Sequence, residues 1–170
     1  MKLETFALER VQSVWENRVA WNLSESGVHP LRVTELLLSP ENHTSLLALE
    51  LGYPQTNGTI ELRTLIAAMY GDAGPAHVQV TNGGSEANCI ILMRIVSPGD
   101  EIVLMTPNYL QAAGIARALG ATVRSWPLVR IEGGGGVPAA WRPDLDALPS
   151  LVTRQTRAVV ICTWPAVAPS

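Results

Sequence analysis

The rhythm of apolar and polar positions changes about halfway along the chain. Before residue 70 the apolar positions follow short helical stretches broken by turns. Residues 3–18 are amphipathic enough for a helical arm, with Phe6, Val14 and Trp15 as anchors. Short helices are expected around 36–38 and 46–51, broken at Pro40, and the stretch from Tyr53 to Gly58 reads as turns. A helix over 59–70 places Ile60, Leu62, Leu65, Ile66 and Met69 near helical spacing and stops at Gly71. From there strand-like and helix-like runs alternate. Strands are expected at 77–81, 101–105, 121–126 and 158–162, and helices at 84–96, 110–119 and 144–152, with a glycine-rich surface loop at Gly133–Gly136. Such alternation predicts an α/β fold: a mostly parallel sheet flanked by helices on both faces, preceded by an N-terminal helical arm.

Composition narrows the class of protein. The chain has 170 residues, 47% hydrophobic and 16% charged, with a net charge of −3. That is enough for one domain with a sizeable core, and the mild acidity gives no support for a nucleic-acid or membrane partner. No apolar run reaches the length of a membrane span, and the first residues do not have the pattern of a signal peptide. Cys89 and Cys162 lack metal spacing and read as buried free thiols of a cytoplasmic protein. His29, His43 and His77 are scattered, so no metal site is expected. There is a single lysine, Lys2, against eleven arginines.

One segment carries chemistry. Residues 81–90, Thr-Asn-Gly-Gly-Ser-Glu-Ala-Asn-Cys-Ile, lie between a strand-like and a helix-like run. Glycine lets the backbone approach an anion, the first helical N–H groups have no intrahelical acceptor, and serine adds a hydroxyl donor. The segment has neither the spacing of a dinucleotide fingerprint nor the lysine of a P-loop. Taken alone, the same turn also serves plain helix–strand packing.

Read with its surroundings, the segment resembles class I/II aminotransferases, enzymes of the aspartate-aminotransferase fold that use pyridoxal 5′-phosphate. The resemblance rests on Gly52-Tyr53, Gly58 and Leu62-Arg63, on Thr-Asn-Gly-Gly-Ser-Glu-Ala at 81–87, on Pro-Gly-Asp-Glu at 98–101, and on Thr106-Pro107-Asn108-Tyr109. Leu-Ser-Glu-Ser-Gly-Val at 23–28 is similar to the family's active-site N-terminal loop, and the whole likeness covers about residues 20–163. The resemblance implies that Gly84, Ser85 and Glu86 hold the cofactor phosphate, with the helix dipole assisting. It implies that Tyr109 stacks on the pyridine ring. It further implies that Tyr53 reaches the phosphate of a neighbouring subunit in a homodimer, and that Gly27 lies against the substrate's carboxylate end. Each residue also has a plain reading: half-buried surface aromatics for the tyrosines, a turn glycine for Gly27, and helix-start electrostatics for Glu86. Arg63, within a helix, is expected to form an ordinary surface ion pair.

The chain also departs from the family. Its chemistry rests on a lysine that forms a Schiff base with the cofactor and moves the substrate proton, and on an aspartate paired with the pyridine nitrogen. The resemblance puts both beyond position 170, and Lys2 stands at the wrong end of the fold. The run Trp164-Pro165-Ala166-Val167 stands where members usually carry an asparagine-containing Asn-Pro-x-Asn-Pro-Thr-Gly segment. The expectation is an N-terminal part of such an enzyme, with catalytic residues absent and the sheet incomplete. Residues 1–50 would be the arm and a small-domain segment, and 51–170 a partial cofactor domain. The parent reaction would move an amino group between an amino acid and a 2-oxo acid. The alternatives are a same-fold lyase, decarboxylase or cyclising synthase, or a non-catalytic α/β binding domain.

Overall fold

The computed structural model describes residues 3–24, 27–28, 30–132 and 140–162. The loop at Gly133–Gly136 and the segment 163–170 lie outside the described residues. The chain divides into two compact units, one made of residues 27–82 and the other of residues 1–26 with 83–170.

In the larger unit, α1 (Ala7–Trp15) precedes α5 (Gly84–Ile95), β1 (Glu101–Thr106), α6 (Gln111–Ala118), β2 (Thr122–Ile131), β3 (Ala140–Pro143), α7 (Leu148–Leu151) and β4 (Thr156–Val160). The sheet order is β3-β2-β1-β4. β1 pairs in parallel with β2 and β4, and β3 adds antiparallel to β2. Parallel neighbours need crossovers, and α6 supplies the one between β1 and β2. The expected parallel core is present. β3 has no counterpart in the sequence reading, because Ala140–Pro143 has no apolar alternation and is exposed throughout.

β1 is the centre. Ile102, Val103, Leu104 and Met105 are all buried, as expected of a middle strand covered on both faces. Ile102 packs with Leu92 and Val96 of the α5 segment, Ala116 of α6 and Ala121. Val103 and Met105 point the other way and pack with Trp126, under Leu148 and Leu151 of α7. The Trp126 indole donates to the Asp144 carbonyl at 2.7 Å, tying the approach to α7 onto β2. The helix expected over 144–152 is only Leu148–Leu151, because Asp144 Oδ1 accepts from the amides of Asp146 and Ala147 and closes a turn first. Cys89 and Cys162 are half-buried rather than buried: Cys89 stands on α5 and Cys162 just past the end of β4. Of the arm's three expected anchors, Phe6 is half-buried, whereas Val14 and Trp15 are exposed. Phe6 alone finds an aromatic neighbour among the described residues.

The smaller unit holds α2 (Val33–Leu36), α3 (Pro40–Leu47) and α4 (Ile60–Ala67). Pro40 does not break a helix; it starts α3 at a position where its missing N–H costs nothing. Ser39 and Thr59 cap α3 and α4, accepting from Asn42 N and Leu62 N. The strand expected at 77–81 is a 3-10 turn (Pro75–His77) followed by extended chain without a ladder; Val80 N donates to Asn57 O at 3.1 Å. Val78 has β dihedrals, so the local propensity is expressed, but no strand among the described residues pairs with it.

Candidate cofactor site

The carboxyl end of β1 opens into Pro107-Asn108-Tyr109 after a cis Thr106–Pro107 peptide bond. Beside it α5 begins at Gly83, whose φ of +86° is left-handed and disfavours any side chain. Unlike α3 and α4, α5 has no side-chain cap. A Cβ built at Gly83 or Gly84 would meet nothing within 4 Å, so there is open space in front of the first turn. The first amides of a helix, outside the intrahelical ladder, suit an anionic group.

The structure brings Ser85 and Tyr109 together. The Ser85 side chain is close enough to the Tyr109 hydroxyl to act on its ionisation, and the Tyr109 hydroxyl donates to Glu9 Oε1 at 2.6 Å. Phe6 lies against the tyrosine, with ring centroids 4.8 Å apart and planes tilted by 58°. Burial pushes the Tyr109 hydroxyl above its ordinary pKa, and the Glu9 carboxylate raises it further. The phenol therefore stays neutral at physiological pH and does not oppose an anion nearby. Glu86, an acidic residue in the first turn of α5, is exposed.

Beyond the tyrosine, a cavity of about 450 Å³ opens between α5, the start of α6 and β4, lined by Asn88, Ile91, Asn108, Tyr109, Val160 and Cys162 among others. The amide nitrogen of Asn108 is buried and has no hydrogen-bond partner among the described residues. A buried donor left without an acceptor costs free energy. At the wall of a cavity it marks a place for an oxygen-bearing guest. Sequence reasoning did not single out Asn108; its position between Pro107 and Tyr109 was the available signal.

Two motif segments have structural tasks. In Pro-Gly-Asp-Glu, Asp100 accepts from Ser97 N at 2.8 Å and from Arg157 Nε at 3.0 Å. Those contacts, the Ser97 amide first, hold its carboxyl below the usual range. Glu101 takes two bonds from Arg124, at 2.8 and 2.7 Å, and one from Thr153 at 2.6 Å. The Arg124 guanidinium and then the Thr153 hydroxyl lower its pKa from 4.5 to about 2. Arg63 forms no ion pair with a described residue, contrary to the expected surface ion pair. It is half-buried and donates to the carbonyls of Gly58 and Pro75 at 3.0 and 2.8 Å. The backbone folds over its guanidinium there because Gly58, with φ +91°, leaves room that a Cβ would take from Val80. Tyr53 is fully exposed in the smaller unit, and Gly27 is exposed in the same unit.

A glycine-serine helix start and an adjoining aromatic stand at the carboxyl end of a parallel strand, the end at which such sheets bind ligands. Residues 45–165 match the family described as aminotransferase class I and II. The chain is 37% identical over 146 residues to capreomycidine synthase of Streptomyces vinaceus, covering 82% of this chain and 35% of that enzyme. A PLP-dependent aminotransferase structure from Streptococcus suis superposes with a TM-score of 0.81 at 27% identity, covering 94% of this chain and 42% of that one. A PLP-dependent cyclase structure superposes at a TM-score of 0.73 and 27% identity, covering 95% of this chain and 41% of that one.

The chain belongs to the class I and II aminotransferase family and has its aspartate-aminotransferase-like fold. Pyridoxal 5′-phosphate is the cofactor that this membership implies, and the open glycine turn, the neutral tyrosine and the orphaned Asn108 amide fit it. The chain spans about a third of the length of the curated relatives it matches, 35% for the synthase.

Proposed function

We propose that the chain forms the phosphate-and-ring cradle of a pyridoxal-phosphate enzyme acting on amino acids. The observation that carries this is the start of α5 at Gly84–Ser85 held against the Tyr109 loop, with Gln111 Nε2 on the Ser85 carbonyl at 2.9 Å and Tyr109 lining the adjoining cavity. In this reading the amides of Gly84, Ser85 and Glu86 and the Ser85 hydroxyl hold the phosphate, and the Tyr109 ring lies against the pyridine. Tyr53 would contact the phosphate of a second subunit in a homodimer, and Gly27 would flank the substrate's carboxylate. Residues 1–50 would contribute an arm and small-domain segment, and 51–170 part of the cofactor domain, in a cytoplasmic enzyme. When bound, the cofactor supplies an electron sink for bonds at the substrate's α-carbon. These residues orient it and keep water from the ring; none of them shuttles the α-proton. Lys2 is the only lysine, so the chain by itself is catalytically silent.

The reaction of the whole enzyme would be amino-group transfer between an amino acid and a 2-oxo acid. The likeness to a synthase and a cyclase favours one second reading, a cyclising reaction on an amino acid in the same cradle.

Calorimetric titration of the chain with pyridoxal 5′-phosphate tests the cradle. Saturable binding is expected, weakened up to about tenfold by Tyr109→Ala through lost stacking. Borohydride treatment followed by peptide mapping should find adducts only at Lys2 or the terminal amine. An absence of binding, or no effect of the tyrosine change, would refute the reading.

A further inference from the structure

α5 and α6 start at the same end of the sheet, and one side chain joins their first turns. Gln111, the first residue of α6, donates its Nε2 to the Ser85 carbonyl at 2.9 Å. Its Oε1 lies 3.5 Å from Asn88 Nδ2, one turn further along α5. Gln111 follows Tyr109 by two residues. The helix start at Gln111 therefore grips Ser85 by its carbonyl, with Tyr109 beside the serine side chain.

We infer that Gln111 is a positioning residue for phosphate binding, acting through Ser85; this rests on the cradle proposed above. The Ser85 carbonyl and the Glu86 N–H belong to one planar peptide unit and point in opposite directions. Pinning the carbonyl from the α6 side fixes the plane, and with it the direction of that amide and the seat of the serine side chain. An anion site gains affinity when its donors are set before the ligand arrives. Gln111 also sets the distance between the phosphate donors and the tyrosine ring, since both sides of the clasp are consecutive parts of one loop and helix.

The test uses the full chain and pyridoxine 5′-phosphate, which has the phosphate and ring but no aldehyde. Gln111→Met keeps length and helix propensity while removing the donor. We expect its dissociation constant to rise roughly three- to tenfold, the worth of one neutral hydrogen bond. The ³¹P shift of the bound ligand should move toward its free value, and the melting temperature should be unchanged. Gln111→Glu, which also cannot donate when ionised, should lose at least as much and decides the matter if the methionine variant does not fold. Wild-type affinity and ³¹P shift in either folded variant would overturn the inference and leave the cradle standing. If the unaltered chain fails to bind pyridoxine 5′-phosphate, both fall together.

Discussion

The two ends of β1 put polar groups to opposite uses. At its amino end every charge near the strand is spent internally: Asp100 on Ser97 and Arg157, Glu101 on Arg124 and Thr153. At its carboxyl end the polar groups border a cavity: Asn108 and Tyr109 line it, a Cβ at Gly83 or Gly84 would meet nothing within 4 Å, and the Asn108 amide nitrogen has no partner among the described residues. Parallel strands carry their ligand sites at the carboxyl end, where loops and helix starts converge. The amino end is free to act as a staple. Motif residues of one family therefore divide by the end they occupy, with Asp100 and Glu101 holding the fold and Ser85 and Tyr109 placed where we propose the cofactor binds.

Changes at the two ends should separate binding from stability. The largest effect is expected from Ser85→Asp. A carboxylate set against the phosphate should cut pyridoxine 5′-phosphate affinity on the order of a hundredfold, since like charges at contact distance cost several kcal/mol at partly screened sites. The melting temperature should hold or rise slightly, because a negative charge suits a helix start; calorimetry and thermal unfolding read the two. A fall in stability without a loss of affinity would dissolve the distinction between the ends.

Asn108→Leu comes next. Replacing a buried donor that lacks an acceptor should raise stability by about 1 kcal/mol, a few degrees in melting temperature, while weakening the ligand. Destabilisation with unchanged affinity would show that the amide serves the fold instead.

Glu101→Gln should have the smallest effect, confined to stability. Its folded pKa of about 2 lies below the ordinary 4.5, so its stabilisation is fully present above pH 4.5. It is lost as pH falls through about 2. The melting difference between wild type and variant should therefore be clear at pH 7 and shrink steadily below pH 4.5, with ligand affinity at pH 7 unaltered. A gap that persists to pH 2 would remove the carboxylate from the account.

The sequence by itself determined the parallel core and its cofactor turn. The continuous apolar run Ile102–Met105 can only be a strand covered on both faces. The glycine pair at 83–84 specified a helix start there, with Gly83 at the positive φ that glycine tolerates. Tertiary structure decided the rest, because those features depend on partners distant in the chain. Residues 77–81 have strand propensity but no neighbour to complete a ladder. Arg63 found carbonyls instead of an acid because Gly58 bends the chain around it. The approach of Tyr109 to Ser85, and the Gln111 clasp behind it, join positions 24 and 26 residues apart. Periodicity reports which face of an element is buried; it does not report which two elements start side by side.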